Sequence, residues 1–245
     1  MEKSRKWTGV SFGILFALGA PARGREVDQA VAAAQPRVGT VTSRSANPDG
    51  SYLEETGNCL LWTLEGRIYT LADLHTVMAG EEAASQRVAD QIVVTVGKRS
   101  SPARLVWPPE GRRDVLQVDI AILELQDGSV GGQPFTPEAF QALTADLPKD
   151  LYLAAPGHRS RILALEAPAV RYGPQWFLYR ELSPGDSGGM VFALENGRVV
   201  PYGFVSAIGS LPGESTRGTV VYGRDAMRIF INQFLRSRSQ VASQR

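Results

Sequence analysis

Ser183-Pro184-Gly185-Asp186-Ser187-Gly188-Gly189-Met190-Val191-Phe192-Ala193 sets a serine between glycines at the mouth of an apolar run. Glycine lets backbone N–H groups turn inward towards a developing oxyanion, so the stretch is suited to exposing a nucleophile for acyl transfer. Gly185-x-Ser187-x-Gly189 also satisfies the strand-to-helix nucleophile elbow of parallel α/β enzymes. A tight surface turn has the same composition in a chain with 25 glycines among 245 residues. The order of the partner residues separates these readings, because nucleophile, base and orienting acid follow one another differently in each solution to this chemistry.

The chain has 2 histidines, His75 and His158, and both precede Ser187. An order running serine, acid, histidine is therefore impossible with this serine. Two orders stay open: His75, Asp119, Ser187, or Asp119, His158, Ser187. Local sequence favours the first. His75 ends Gly66-Arg67-Ile68-Tyr69-Thr70-Leu71-Ala72-Asp73-Leu74-His75, a β-rich run leaving a glycine turn. Asp119 lies in Val118-Asp119-Ile120-Ala121-Ile122-Leu123-Glu124-Leu125, an apolar strand pattern where an unpartnered carboxylate would be costly, so a hydrogen-bonded role is expected. His158 stands on Ala155-Pro156-Gly157-His158-Arg159, a turn crest where an imidazole is usually only solvated. The second order would also need helices between parallel strands, and the sequence offers few.

Together, Ala72-Asp73-Leu74-His75-Thr76-Val77, the Asp119 strand and Ser183–Gly189 resemble the signature set of the trypsin/chymotrypsin-like serine peptidases, over about Val38 to Phe234. The histidine block departs from the family, which has Thr-Ala-Ala where this chain has Ala72-Asp73-Leu74. That change sets a second carboxylate two residues before His75. The resemblance implies an all-β fold of two six-stranded antiparallel β-barrels, with the active site between them and a closing C-terminal helix. It implies that His75 acts as general base and then general acid, that Asp119 fixes its tautomer, and that Ser187 attacks the substrate carbonyl. The N–H groups of Gly185 and Ser187 would form the oxyanion hole.

The same resemblance places the side-chain pocket at Glu181, Ser206, Ala207, Ile208 and Val220. Glu181 at the pocket floor would favour a basic residue, unless it pairs with Arg180 or solvent. Ile208 and Val220, replacing small residues, would leave a shallow site for small or medium apolar side chains. Many relatives gain a new Ile-Val-Gly-Gly terminus whose ammonium pairs with the aspartate before the serine, here Asp186. This chain offers only Arg37-Val38-Gly39-Thr40, so Asp186 needs another partner, or the oxyanion loop waits for substrate or a regulator.

Elsewhere the pattern is of short strands divided by Gly- or Pro-bearing turns. The first half suggests Val38–Thr42, Asn58–Leu64, Arg67–Leu71, Gln91–Val96, Ala103–Trp107 and Val118–Leu125. The second suggests Leu151–Ala154, Ile162–Val170, Trp176–Tyr179, Met190–Ala193, Val199–Ala207 and Thr219–Tyr222. A glycine-rich stretch from Asp127 and a helical pattern at Pro137–Thr144 read as the link between barrels. Met227, Phe230, Ile231 and Phe234 have the spacing of one helix face. The expected organisation is a leader over residues 1–22, a first barrel over 23–135, a connector over 136–148, a second barrel over 149–224, a helix over 225–238 and a flexible tail over 239–245.

Lys3, Arg5 and Lys6 before the apolar Val10–Ala20 read as a signal peptide, with Ala20-Pro21-Ala22 offering a cut after Ala22. The expectation is a periplasmic or secreted protein with no stable membrane insertion once the leader is cut, an uncleaved anchor being the alternative. One cysteine, Cys59, forbids an intrachain disulfide, and its apolar setting marks it as a buried core thiol. In the family a cysteine near this place often bridges to one just after the histidine, where this chain has Thr76; with the leader, this is similar to the disulfide-poor bacterial branch. A net charge of +1 with interspersed charges gives no electrostatic case for nucleic acid. Two separated histidines and one cysteine suggest no metal cluster, and nothing suggests a cofactor. The expected partner is a peptide or protein substrate, cut by a serine endopeptidase. A catalytically silent peptide-binding protein on the same scaffold is the rival, and action on small acyl esters would use the same residues.

Overall fold

Alternating β-branched and polar residues from Val38 onward build the first half. β1 (Val38–Ala46), β2 (Tyr52–Leu64), β3 (Arg67–Ala72), β6 (Gln91–Val96), β7 (Arg99–Trp107) and β8 (Ala121–Leu125) form a closed barrel in the order β1-β2-β3-β8-β7-β6. β4 (Met78–Ala79) and β5 (Arg87–Val88) pair beside it. The structure is a computed structural model that describes residues 28–30, 32–47, 49–79, 87–111, 119–141, 148, 150–157, 161–165, 169–211 and 215–242. The expected leader over 1–22 and His158 lie outside these residues, as does the end of the Pro137–Thr144 pattern, of which Pro137–Phe140 is a 3-10 turn.

Val41, Leu61, Leu74, Val94 and Leu123 fill the barrel and are fully buried. Glu124, the acidic outlier of β8, is held by Arg67 and Arg104, each at 2.6 Å. Cys59 is buried and free, and desolvation pushes its thiol up to about 12, so it stays a neutral core group.

The second half is one sheet of seven antiparallel strands: β9 (Leu151–Ala155), β10 (Arg161–Leu165), β11 (Ala169–Tyr172), β12 (Gln175–Leu178), β13 (Met190–Glu195), β14 (Arg198–Ser210) and β15 (Arg217–Gly223). Their order is β10-β9-β13-β14-β15-β12-β11. The expected six strands become seven because Ile162–Val170 is two strands, β10 paired with β9 and β11 with β12. Among the described residues no pairing joins β10 to β11, the first and last strands of that order, where the expected second barrel would close. The β13–β14 hairpin turns on Asn196-Gly197, both at positive φ (51° and 74°), the conformation that two-residue hairpins require and that Asn-Gly adopts most readily.

Between the halves runs a second core of Trp62, Tyr69, Phe135, Phe140, Phe192 and Phe204 with the C-terminal helix Arg224–Ala242. Met227, Ile231 and Phe234 bury their side chains here, and Phe230 packs half-buried on Trp107 at 5.3 Å, so the predicted helix face is the one used. The helix continues past the expected residue 238. Arg238 turns back to Tyr69 Oη and Glu65 Oε2, both at 3.2 Å, which holds this turn against the barrel. Phe135 and β2 exchange hydrogen bonds of 2.8 and 2.9 Å, so the connector is fastened to the barrel wall.

Candidate active site

β3 and β8 are antiparallel neighbours with Ala72 opposite Ala121. Extending that register past the strand ends brings the residues after Ala72 beside those before Ala121. His75 and Asp119 therefore meet at one rim of the barrel although 44 positions separate them. The expected strand Val118–Leu125 starts at Ala121, which leaves Asp119 off the ladder with its carboxylate engaged by His75. Asp119 Oδ1 accepts the backbone N–H of His75 at 2.8 Å, and Oδ2 lies 2.7 Å from ring Nδ1. Ser206 Oγ donates to the same Oδ2 at 3.4 Å, and the Asp119 N–H donates to Tyr222 Oη at 3.4 Å. Ser206 reaches this point because a β-bulge between Val205 and Ala207 leaves it out of the β14–β15 register.

Burial of the imidazole disfavours its charged form, but the hydrogen bond and charge of Asp119, with a smaller contribution from Glu55, outweigh it. The His75 pKa is therefore raised above the ordinary histidine value.

Ser187 sits in a chain of tight turns. Asp186 N–H donates to Ser183 O at 3.0 Å, Gly189 N–H to Asp186 O at 2.9 Å, and Gly188 N–H to Val205 O at 2.8 Å. Asn58 of β2 grips this loop from the other half of the molecule. Its N–H donates to Ser187 O at 2.8 Å, its Nδ2 donates to Gly185 O at 2.9 Å and to Ser187 O at 2.8 Å, and its Oδ1 accepts Gly157 N–H at 2.6 Å. Gly188 has φ +74°, and a Cβ there would lie 2.0 Å from the Asn58 carbonyl oxygen, so only glycine permits the approach. Asn58 is a residue that sequence reasoning missed. Its sole signal was an amide opening an otherwise apolar strand, where a buried polar group requires partners.

The N–H groups of Gly185 and Ser187 are given to no protein acceptor among the described residues. No hydrogen bond joins Ser187 Oγ to His75 among them either. Asp186 is fully buried, and its Oδ2 accepts Ser183 N–H at 2.9 Å, so the loop itself supplies a partner.

Of the expected pocket residues, Ser206 is buried, Ala207 exposed, and Ile208 and Val220 half-buried. Glu181 pairs with Arg217 of β15 at 3.4 Å, a partner not expected from the sequence. Thr219 supports the wall by donating to Arg180 O at 2.7 Å and accepting Leu182 N–H at 3.0 Å.

Asp73, the departure noted in the histidine block, is 0% exposed, and neither carboxyl oxygen has a hydrogen-bond partner among the described residues. Desolvation first, then the charge of Asp119, raises its pKa well above the usual carboxylate value. The Gly188 N–H, which donates to Val205 O, opposes this shift.

A barrel of this strand order, a partner sheet, a C-terminal helix and a histidine–aspartate pair at the barrel rim make the fold that of the trypsin/chymotrypsin-like serine peptidases. The serine endoprotease from Yersinia pestis is similar with a TM-score of 0.57 at 18% identity, covering 86% of this chain and 66% of that one. The active form of the Rv3671c protease from M. tuberculosis is similar with a TM-score of 0.52 at 21% identity, covering 90% of this chain and 89% of that one. The chain thus spans just under two thirds of the Yersinia protein's length. No protein-family model matches the sequence, and no curated protein does.

Proposed function

We propose that this protein is a serine endopeptidase that cleaves peptide or protein substrates through an acyl-enzyme, with Ser187 as nucleophile, His75 as base and acid, and Asp119 as orienting group. The observation that carries the proposal is the two-point hold of Asp119 on His75, at backbone and ring. With Nδ1–H directed at Asp119, the lone pair of Nε2 is the one left to take the Ser187 proton as Oγ attacks the carbonyl. The imidazolium that forms is stabilised by Asp119, and its proton passes to the leaving amine. The unclaimed N–H groups of Gly185 and Ser187 suit the oxyanion, each donor of this kind being worth about 3 kcal/mol in the transition state. The seven-stranded sheet stands where the resemblance expects the second barrel, and the substrate cleft lies between the halves.

Turnover of a peptide library against matched acyl esters tests the reaction. Cleavage of internal peptide bonds is the expected result, and ester hydrolysis without any peptide cleavage would replace the assignment. Because His75 must be neutral to act as base and its pKa is raised, kcat/KM should climb with pH through an apparent pKa above about 6.5. A pH–rate profile in chelator-treated buffer reads this directly, and a limb below 6 would contradict it.

Glu181 does not present a bare charge to a substrate, since Arg217 shares it. Both side chains are about half exposed, so the pair is screened and its effect modest. Arg217→Ala should raise kcat/KM for substrates with arginine or lysine before the cut by about two- to fivefold, the scale of one exposed charge pair. An unchanged cleavage profile would place Glu181 outside the pocket.

We further propose export, on the strength of Lys3, Arg5 and Lys6 before an apolar stretch. No described helix is long and apolar enough to cross a membrane. Mass analysis of protein recovered outside the cytoplasm should give Arg23 as the first residue; a chain retaining its first 22 residues would favour the uncleaved anchor.

A further inference from the structure

We propose that Asp73, His75 and Asp119 form a binding site for a divalent ion of the zinc type, and that filling it switches the peptidase off. One ligand atom from each residue, two carboxylate oxygens and a ring nitrogen, lies within 4.8 Å of the other two. Asp73 supplies the independent sign that something belongs there: it is 0% exposed, aimed into this cluster, and unpartnered at both oxygens among the described residues. A carboxyl so placed loses its hydration without recovering any hydrogen bond, a cost that a bound cation removes. An imidazole with two carboxylates is a mixed N/O set of three, the number that zinc accepts when it keeps a fourth position for solvent. Magnesium and calcium prefer six or more oxygens and suit this set poorly.

The geometry needs only small movements. Zinc–ligand lengths of about 2.0–2.2 Å place tetrahedral ligands roughly 3.4 Å apart. The Nδ1–Oδ2 contact, now 2.7 Å, would open by less than about 1 Å, and the Asp73 carboxylate would turn inward by a similar distance. Ser206 Oγ, 3.4 Å from Asp119 Oδ2, stands close enough to hydrogen-bond a coordinated water. The His75 side chain is 40% exposed, which gives the ion a way in from the cleft.

Occupation would act on His75 by tautomer. The metal takes the Nδ1 lone pair, and the neutral ring keeps its one proton on Nε2. A protonated Nε2 cannot accept the Ser187 proton, so the nucleophile is not activated. This consequence rests on the peptidase reading; the ion site itself does not.

Calorimetric titration of Zn²⁺ into the Ser187→Ala protein, where turnover plays no part, tests the site. One ion per chain is expected, with affinity at least tenfold weaker in the Ser187→Ala/Asp73→Asn protein and no matching signal from Mg²⁺. Absent binding, or affinity unaffected by Asp73→Asn, overturns the proposal. Zinc-edge anomalous density from crystals of the Ser187→Ala protein asks the same question with Asp73 intact: a peak among the three side chains supports the site, and peaks only elsewhere refute it. In the unsubstituted enzyme, Zn²⁺ should inhibit reversibly and EDTA should restore turnover. A chain that binds zinc at these residues yet never cleaves peptides would retain the ion site and lose the peptidase assignment, so the two fail separately.

Discussion

Replacing Ser187 by alanine is expected to lower kcat by about a million-fold, the scale on which removal of a catalytic serine acts, while leaving the fold intact. The fold survives because the contacts that hold this loop are made by backbone atoms: Ser187 O to Asn58, Gly188 N–H to Val205, and Gly189 N–H to Asp186. Alanine keeps all of them and removes only Oγ. A residual rate above that in water should persist, since the oxyanion donors and substrate contacts remain. Circular dichroism with peptide turnover separates the two effects. Native ellipticity with undiminished turnover would dismiss Ser187 as nucleophile.

Asp119→Asn should cost about four orders of magnitude in kcat. A carboxylate offers acceptors at both oxygens, and here both face donors, the His75 N–H at 2.8 Å and the ring Nδ1–H at 2.7 Å. An asparagine amide has one acceptor and one donor. If its oxygen keeps the backbone N–H, its NH₂ faces Nδ1 and forces the ring proton onto Nε2, the wrong nitrogen for a base. If it flips, the backbone N–H of His75 is left facing a donor. That clash disfavours the flip, and the arrangement that remains disables the imidazole while changing almost no volume, so the loss should come with little change in KM. A drop of less than tenfold in kcat would remove Asp119 from the catalytic group.

Both predictions begin from residues that the sequence makes visible, because each stands out against its own neighbours: a serine among glycines, a carboxylate in an apolar run, a histidine ending a strand. The helix face at Met227, Ile231 and Phe234 was visible for the same local reason. What the sequence conceals depends on distant pairing. Asn58 binds a loop 129 positions away, and nothing around it marks it as a clamp. Glu181 finds Arg217 only because β15 passes beside its loop. Ile162–Val170 reads as one apolar strand, yet its halves pair with different neighbours, β10 with β9 and β11 with β12. Asp73 looked like a rival acid for His75; burial places it instead as a carboxyl without hydrogen-bond partners among the described residues. Counting histidines and cysteines gave no reason to consider a metal, since two of the three candidate ligands are aspartates.

The central claim is that His75 and Asp119 on the first barrel make Ser187 on the second sheet an unusually strong nucleophile. A fluorophosphonate reacts only with such a serine, and peptide mass analysis identifies the residue modified. The mature protein should carry one adduct, on Ser187, formed far more slowly in the Asp119→Asn protein. A folded, metal-free protein that takes no adduct, or takes it on another residue, would contradict the account and leave a scaffold that binds peptides without cutting them.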